Sequence, residues 1–463
     1  MAHVSSSPTP RSASASGPVA RPSLLQRIIT KLRRRWQWRA SRSRQARLTL
    51  VSQFFPPDFA ATGQLLDDLT TRFAARGLQV QVLSGMPAYA YNRSDAQRIE
   101  FQPNRCIRRT RASRLWPLRI SGRAFNGILF CLRITVRLLR YSRRGDLILY
   151  TTEPPYLPLL GWLLHRLTST PYLVLLYDLY PDVLVELGVL PASHGLVRLW
   201  RQFNRWVFSD AQQLIVLSEP MADRVRAYAP AAAAKLTVIP SWADPAQIHP
   251  RPKAENWFAI RHQLTDRFVV LYSGNQGRCH DLVTVMAAAL LLRQQPDVLF
   301  LFIGKGPQHQ RLLELVHDWG LGNCRFLPYQ ELIDLPYSLA AADLALVTLG
   351  IEAEGLVAPS KLYGHLAAGT PIAAVTPASS YLRQLVEKER CGRWFANGDA
   401  QGLADWILEL KADRQQAVAC GNRARNLLLR TATPDLVTAQ YLNLIVKHLP
   451  EHKLLSITPA LER

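Results

Sequence analysis

The stretch 347–371, VTLGIEAEGLVAPSKLYGHLAAGTP, decides how the rest of the chain is read. It begins inside an apolar run, residues 344–349, that reads as a buried strand. A loop with two carboxylates, Glu352 and Glu354, follows, and Gly355 permits a turn. Pro359, Ser360 and Lys361 then lead into a small-residue helix over 362–368 that stops at Gly369. A strand that hands a polar loop to a helix N-terminus makes an anion site. Free backbone N–H groups and the positive helix end face the ligand, and Lys361 adds a full charge. An ordinary connection with Ser360 as N-cap and Lys361 in solvent fits the same residues. The surrounding chain decides between the two.

Upstream, residues 268–272 form a strand pattern followed by Ser273-Gly274-Asn275-Gln276-Gly277-Arg278 and a helix from about Asp281. Backbone N–H groups around Gly274, Asn275 and Gly277, with the Arg278 guanidinium, suit a diphosphate. A tight turn with a surface arginine is the plainer alternative. Residues 298–303 read as the next strand, ending in Gly304-Lys305-Gly306-Pro307, and 324–327 as another, ending in Pro328-Tyr329. Strands at 344–349 and 372–375 continue the alternation.

The first half repeats the pattern. RLTLVS (47–52) is a strand, FFPPDFAATGQ follows, and a helix over 64–76 carries Leu65, Leu66, Leu69 and Phe73 on one face before Gly77. Gly63 stands at that helix start, where a backbone can approach a phosphate. Ala61-Thr62-Gly63 is not a G-x-G-x-x-G fingerprint, so no dinucleotide cofactor is indicated. Residues 172–177 form an apolar strand ending in Asp178-Leu179-Tyr180-Pro181-Asp182. Ligands of open parallel sheets sit beyond the carboxyl ends of strands, which puts Asp178 at a cleft. A helix- or turn-capping aspartate is the competing reading. Strand–loop–helix order in both halves predicts two doubly wound α/β domains.

At 463 residues, two domains are the natural division. Six scattered cysteines offer no C-x-x-C pair and no zinc spacing, and read as buried thiols of a reducing compartment. The net charge of +22 demands an acidic partner. It is concentrated in residues 31–47, with eight basic residues and no acid, and in 103–145, with twelve arginines and no acid. No apolar run reaches the roughly 18 residues that would span a bilayer. Residues 24–38 suit an amphipathic basic helix ending in tryptophans, fit for an anionic headgroup layer; a basic arm for nucleic acid is the alternative. Residues 126–142 place Arg133, Arg137 and Arg140 on one helical face, read either as solvated or as membrane-facing beside an acceptor site.

The Glu-rich loop, Gly-Leu-Val and Ala-Ala-Gly-Thr-Pro of 352–371 resemble the donor loop of retaining GT-B glycosyltransferases of family 4 (group 1). Pro-Ser-Lys-Leu-Tyr and DLYPD resemble its WbuB-like branch of bacterial surface-polysaccharide enzymes. ATGQLL, G-N-x-G, G-x-G-P and Pro240-Ser241-Trp242-Ala243-Asp244-Pro245 resemble further family points, in order, over about 47–449. The resemblance implies an acceptor domain at 47–240, a hinge at 241–252 and a nucleotide-sugar domain at 253–432. A helix at 433–449 returns to the first domain, flanked by a basic extension at 1–46 and a tail at 450–463.

It also implies catalytic roles for Asp178, Arg278 and Lys361, the latter two neutralising the departing diphosphate. Donor contacts are implied for Gly63, Gly274, Asn275, Gly277, Gly304, Tyr329 (beside the base), Glu352, Glu354 and Ser360. The family's second Glu, five residues before the terminal Gly, grips the ribose; here that position is Gly364. Neither metal nor cofactor is implied. The donor is a nucleotide sugar such as a UDP-sugar, and the acceptor is lipid-linked or a glycan. The protein is expected in the cytoplasm, peripheral at the inner face of the plasma membrane on anionic lipid, without nucleic acid. A same-fold nucleotide-sugar epimerase or hydrolase, and a non-catalytic binding subunit, are the rival expectations.

Overall fold

The computed structural model describes residues 47–58, 61–87, 96–111, 113, 120–141 and 146–449. The expected basic helix at 24–38 and the tails lie outside those residues. Two parallel sheets carry the fold. In the first, the strands β1 (Arg47–Val51), β2 (Gln79–Gly85), β3 (Ile99–Gln102), β4 (Arg105–Thr110), β5 (Asp146–Thr151), β6 (Tyr172–Leu176), β7 (Gln213–Val216) and β8 (Leu236–Val238) stand in the order 3-4-2-1-5-6-7-8. Only β3 runs antiparallel, to β4, among these pairs. In the second, β9 (Phe268–Ser273), β10 (Val298–Ile303), β11 (Cys324–Leu327), β12 (Leu344–Thr348), β13 (Ile372–Val375) and β14 (Gly392–Phe395) stand in the order 11-10-9-12-13-14, all parallel. Central strands such as β5, β6, β9 and β10 are buried throughout and apolar but for the ends of β5 (Asp146, Thr151) and β9 (Ser273), as sheets covered by helices on both faces require.

The two sheets are tied at one end. The helix Pro434–Val446 buries Val437, Tyr441, Leu442 and Ile445 in the core of the first sheet, where Tyr441 meets Phe73 and Trp242 edge-on. Trp242 Nε1 donates to Asp68 at 2.7 Å, and Arg72 reaches both Asp244 (3.3 Å) and Asp435 (3.2 Å).

The arginine-rich segment 103–145 departs from its expected form. Part of it is structural: β4 lies within it and pairs with β3 just before it, and on β4 Arg105 and Arg109 are buried and ion-paired to Asp67 and Glu100. A run with no acid of its own hides partners that lie elsewhere in the chain. The expected helix at 126–142 is Ile120–Tyr141, and its outward face is different too. Arg133 and Arg137 are half-buried, donating to the carbonyls of Arg111 and Arg109 at 2.8 Å. Arg140 is exposed, and with it Phe125, Ile128, Leu132 and Val136, an apolar stripe.

Candidate active site

In the second sheet β9 is flanked by β10 and β12, so the chain reverses its winding between β9 and β12. Loops leaving adjacent strands at such a switch point part and leave a crevice. The loop after β9 is Gly274–Arg278; the loop after β12 runs from Leu349 to the helix Lys361–Ala368. A third loop, after β10, supports the first from below. Gly304 sits at φ +119°, and a Cβ there would come within 2.3 Å of the Gly274 carbonyl oxygen, so only glycine lets the two loops touch. Buried Gln276 stitches them: its backbone N–H donates to Lys305 O (3.1 Å), its side-chain Nε2 to Gly304 O (3.3 Å), and its Oε1 lies 2.8 Å from His309 Nδ1. Tyr329 is partly exposed above, its hydroxyl on Lys305 O at 2.9 Å. Asn275 and Arg278 are exposed, and Arg278 forms no hydrogen bond or ion pair with any described residue.

Lys361 opens its helix immediately beside this loop: a Cβ on Gly274 would lie 3.6 Å from Lys361 Cε. Ser360 occupies the N-cap position but its side chain caps nothing, so the first-turn N–H groups carry no side-chain cap. The Lys361 ammonium donates to Tyr272 Oη at 2.6 Å, lies 3.9 Å from that ring's centre, and is 3.3 Å from His280 Nε2. Its pKa is held well below the ordinary lysine value by burial. All these partners are neutral groups, and among the described residues the ammonium has no counter-ion. Glu352 is exposed in the turn Ile351–Ala353. The Glu354 carboxylate turns inward; burial raises its pKa, and Ser380 and the Tyr381 amide lower it without forming a well-aligned hydrogen bond.

The opposite wall is built at the equivalent point of the first sheet, where β1 lies between β2 and β5. Gln53 N donates to Glu153 O (2.9 Å), closing the loops after β1 and β5 on each other. Thr62 Oγ1 donates to the Glu153 carboxylate at 2.8 and 3.0 Å. Burial drives Glu153 up to about 8, Thr62 opposes this, and the charges of Asp178 and Asp58 add to the rise. Burial likewise lifts Asp178, at the end of the neighbouring β6, to about 6. Gly63 lies in the third position of the helix Ala61–Ala75, buried; a Cβ there would meet the Phe55 and Phe54 backbone at 3.2–3.3 Å. The structure therefore gives Gly63 a packing reason.

The walls meet. Asp178 and Val357 form an antiparallel bridge, and Leu179 N donates to Leu356 O at 3.0 Å. Leu356 is buried in the first sheet's core, and Arg224 Nη2 holds Glu354 O at 3.0 Å. Cys279, in the loop after β9, feels both Asp178 and Glu352, so these carboxylates converge on it; its thiol is pushed up to about 11, mainly by burial. The structure thus brings Asp178, Lys361, Gly274, Gly304 and Glu352 around one cleft.

Several residues here went unmarked in the sequence. Glu153 ends β5 just as Asp178 follows β6, so the strand-end rule that singled out Asp178 would have found it. Tyr272 and His280 carry no motif signal; only the fold brings them to Lys361. Arg224 lies on the helix Glu219–Tyr228, with nothing in its spacing to mark it.

Comparison with known proteins places this geometry. The family described as "Glycosyl transferases group 1" matches residues 253–427, and "Glycosyl transferase 4-like domain" matches 61–242. "Probable glycosyltransferase WbjE" of Pseudomonas aeruginosa is 28% identical over 286 residues, 62% of this chain and 70% of that protein. WcaI of Escherichia coli K12, by name a colanic acid biosynthesis glycosyl transferase, is 29% identical over 230 residues, 49% of this chain and 56% of that one. Among solved structures, sucrose-phosphate synthase from Thermosynechococcus elongatus superposes with a TM-score of 0.70 at 20% identity, over 87% of this chain and 99% of that one. Anabaena HepE in complex with UDP and glucose does so with 0.65 at 17% identity, over 86% and 99%. At those identities the likeness is one of fold. The two family matches take in every strand but β1, and the chain belongs to the group 1 glycosyltransferases of family 4, with the two-sheet GT-B fold.

Proposed function

We propose that this glycosyltransferase moves a sugar from a nucleoside diphosphate sugar, UDP-linked, to a lipid-linked or glycan acceptor in surface or extracellular polysaccharide synthesis, with retention at the anomeric carbon. The observation that carries the reading is the half-buried Lys361 ammonium beside the Gly274–Gly277 loop, which has no carboxylate partner among the described residues. WcaI's name supports the pathway class, and HepE's complex with UDP and glucose supports the donor class. The bond between the anomeric carbon and the diphosphate oxygen breaks, and the acceptor oxygen bonds to that carbon on the same face. Lys361 and the uncapped helix start meet the charge that grows on the leaving diphosphate, with Arg278 turning in from solvent. Charge neutralisation by these groups takes the place of a metal. The acceptor proton passes to the Asp178 carboxylate, which at about 6 is ionised at neutral pH.

The protein works at the cytoplasmic face of the plasma membrane, held by anionic lipid. The stripe of Phe125, Ile128, Leu132 and Val136 supports this, with Leu163, Leu196, Leu199 and Trp206 exposed on helices that follow. Trp200 links these helices to the acceptor wall, lying 6.1 Å from Tyr180 and 6.3 Å from Tyr156. Among the described residues no helix is long and apolar enough to cross a membrane.

The test is diphosphate release from UDP-, GDP- and ADP-sugars on anionic vesicles, with EDTA present, with and without a polyprenyl-diphosphate-sugar acceptor. Acceptor-dependent release from one donor, lost in Lys361→Ala, is expected. Release without acceptor points to the hydrolase or epimerase reading, and silence across the panel to a binding subunit.

A further inference from the structure

Lys361 is an unusual cation: a desolvated ammonium ordinarily sits on a carboxylate, and among the described residues half-buried Lys361 has none. Its hydrogen-bond partners are Tyr272 and His280, and each is locked by a second bond. The Tyr272 hydroxyl donates to Asn275 O at 2.7 Å, so its oxygen lone pair is what faces Lys361. His280 Nδ1 lies 2.7 Å from Thr348 O, a group that only accepts, so Nδ1 carries the proton and Nε2 presents a lone pair toward Nζ. The third titratable neighbour is His365, on the same helix one turn on. It is fully buried near enough to feel the ammonium's charge, yet neither of its ring nitrogens is hydrogen-bonded among the described residues.

We infer that His280 is a positioning residue for the transfer reaction: its Nε2 accepts from Lys361 and, with Tyr272, holds the ammonium beside the Gly274 loop where the donor diphosphate binds. The inference rests on the donor reading given above. Burial and the Lys361 charge press the His280 pKa down to about 3, which keeps the ring a neutral acceptor throughout the working range. Two further consequences follow from the geometry. The imidazole, fixed at Thr348 on β12, transmits the position of that strand's end to a cation on the following helix. And since Lys361 itself is desolvated, each lost acceptor lowers its proton affinity further, so when His280 is removed the loss of donor binding with rising pH begins at a lower pH.

The experiment measures UDP and GDP binding by calorimetry between pH 6 and 9 in the full chain, His280→Ala and His280→Gln, with kcat and donor KM alongside. A glutamine amide offers a donor for Thr348 and an acceptor for Lys361 side by side, as the imidazole does. His280→Ala is expected to weaken UDP about tenfold, to raise donor KM more than it lowers kcat, and to begin losing affinity at lower pH than the unaltered protein. His280→Gln is expected to bind within about threefold of it. Equal affinity and pH dependence in His280→Ala overturn the inference, and so does a His280→Gln as weak as His280→Ala, which would mark a packing role. If the unaltered chain binds neither nucleotide, the donor reading fails and takes this inference with it; the two failures are therefore distinct.

Discussion

The two walls of the cleft are built by the same topological device and carry opposite electrical problems. On the second sheet, the switch point between β9 and β12 half-buries a cation, Lys361, against neutral partners. On the first, the strand ends around β1, β5 and β6 half-bury carboxylates, Glu153 and Asp178, with Asp58 near enough to raise Glu153 further. Burial disfavours charge on both walls, but in opposite directions: Lys361 is pushed toward neutrality by losing a proton, the acids by gaining one. A diphosphate relieves the first wall. Hydroxyl groups that donate hydrogen bonds relieve the second. Under the proposed function the first of these is the donor wall and the second the acceptor wall, and the bridge from Asp178 to Val357 joins the two.

The comparison breaks most visibly at Lys361. Lys361→Ala removes the positive charge and should cut kcat by about 10²–10³-fold, the range for losing one preorganised stabiliser of transition-state charge. Its fold should survive, since the missing group is a half-buried charge without a counter-ion among the described residues. Transfer assays and a thermal melt check both. The acid wall answers differently. A proton acceptor must be ionised, so transfer should rise with pH through about 6, the Asp178 value, and level off above it. Asp178→Asn should lose about 10²-fold and, more diagnostically, lose that acid limb from the kcat/KM profile. If the limb persists in Asp178→Asn, another group titrates and the assignment of Asp178 as proton acceptor fails.

How much of this was open to reading in the sequence follows from what kind of signal each wall uses. The donor wall is written in backbone requirements, glycines at 274 and 304 and a helix start at Lys361, and those leave residue-type traces in a short stretch. The acceptor wall is written in contacts between distant segments. Thr62 and Glu153 are 91 residues apart, and nothing in either local stretch announces the other. The same limit misled the reading of 103–145, where Arg105 and Arg109 look like solvent-facing charge until Asp67 and Glu100 fold against them. Periodicity located a helix at 126–142, within a turn or two of the observed Ile120–Tyr141, but not its outward face, because Arg133 and Arg137 satisfy backbone carbonyls that only the folded chain presents.

That outward face gives the next, smaller effect. Leu132→Glu with Val136→Glu places two acids where exposed apolar side chains stand, and exposed sites tolerate such changes. Binding to anionic vesicles should fall about tenfold or more, by lost apolar burial and added repulsion. Transfer to a short, water-soluble acceptor should stay within twofold. Unchanged sedimentation with vesicles would move the membrane contact to another part of the chain.

The smallest effect sharpens the donor wall. Gly364 stands where the resembling family carries a carboxylate toward the ribose, and the structure shows what fills the space. A Cβ at 364 would come within 2.9 Å of Leu339 Cδ1, the end of a flexible side chain on the facing helix Leu335–Ala340. Leu339 must therefore shift before any side chain can occupy 364, but no backbone blocks it. Gly364→Glu should cost little stability, because a helix-interior glycine is itself unfavourable by about 1 kcal/mol and its replacement offsets the strain at Leu339. If the nucleoside lies over this turn of the helix, the new carboxylate accepts from the ribose hydroxyls and donor KM falls about threefold, with kcat unchanged, since the ribose is bound equally before and during transfer. An unaltered KM with an intact melting temperature would mean that the ribose sits away from residue 364, and that this donor is gripped by its diphosphate and base alone.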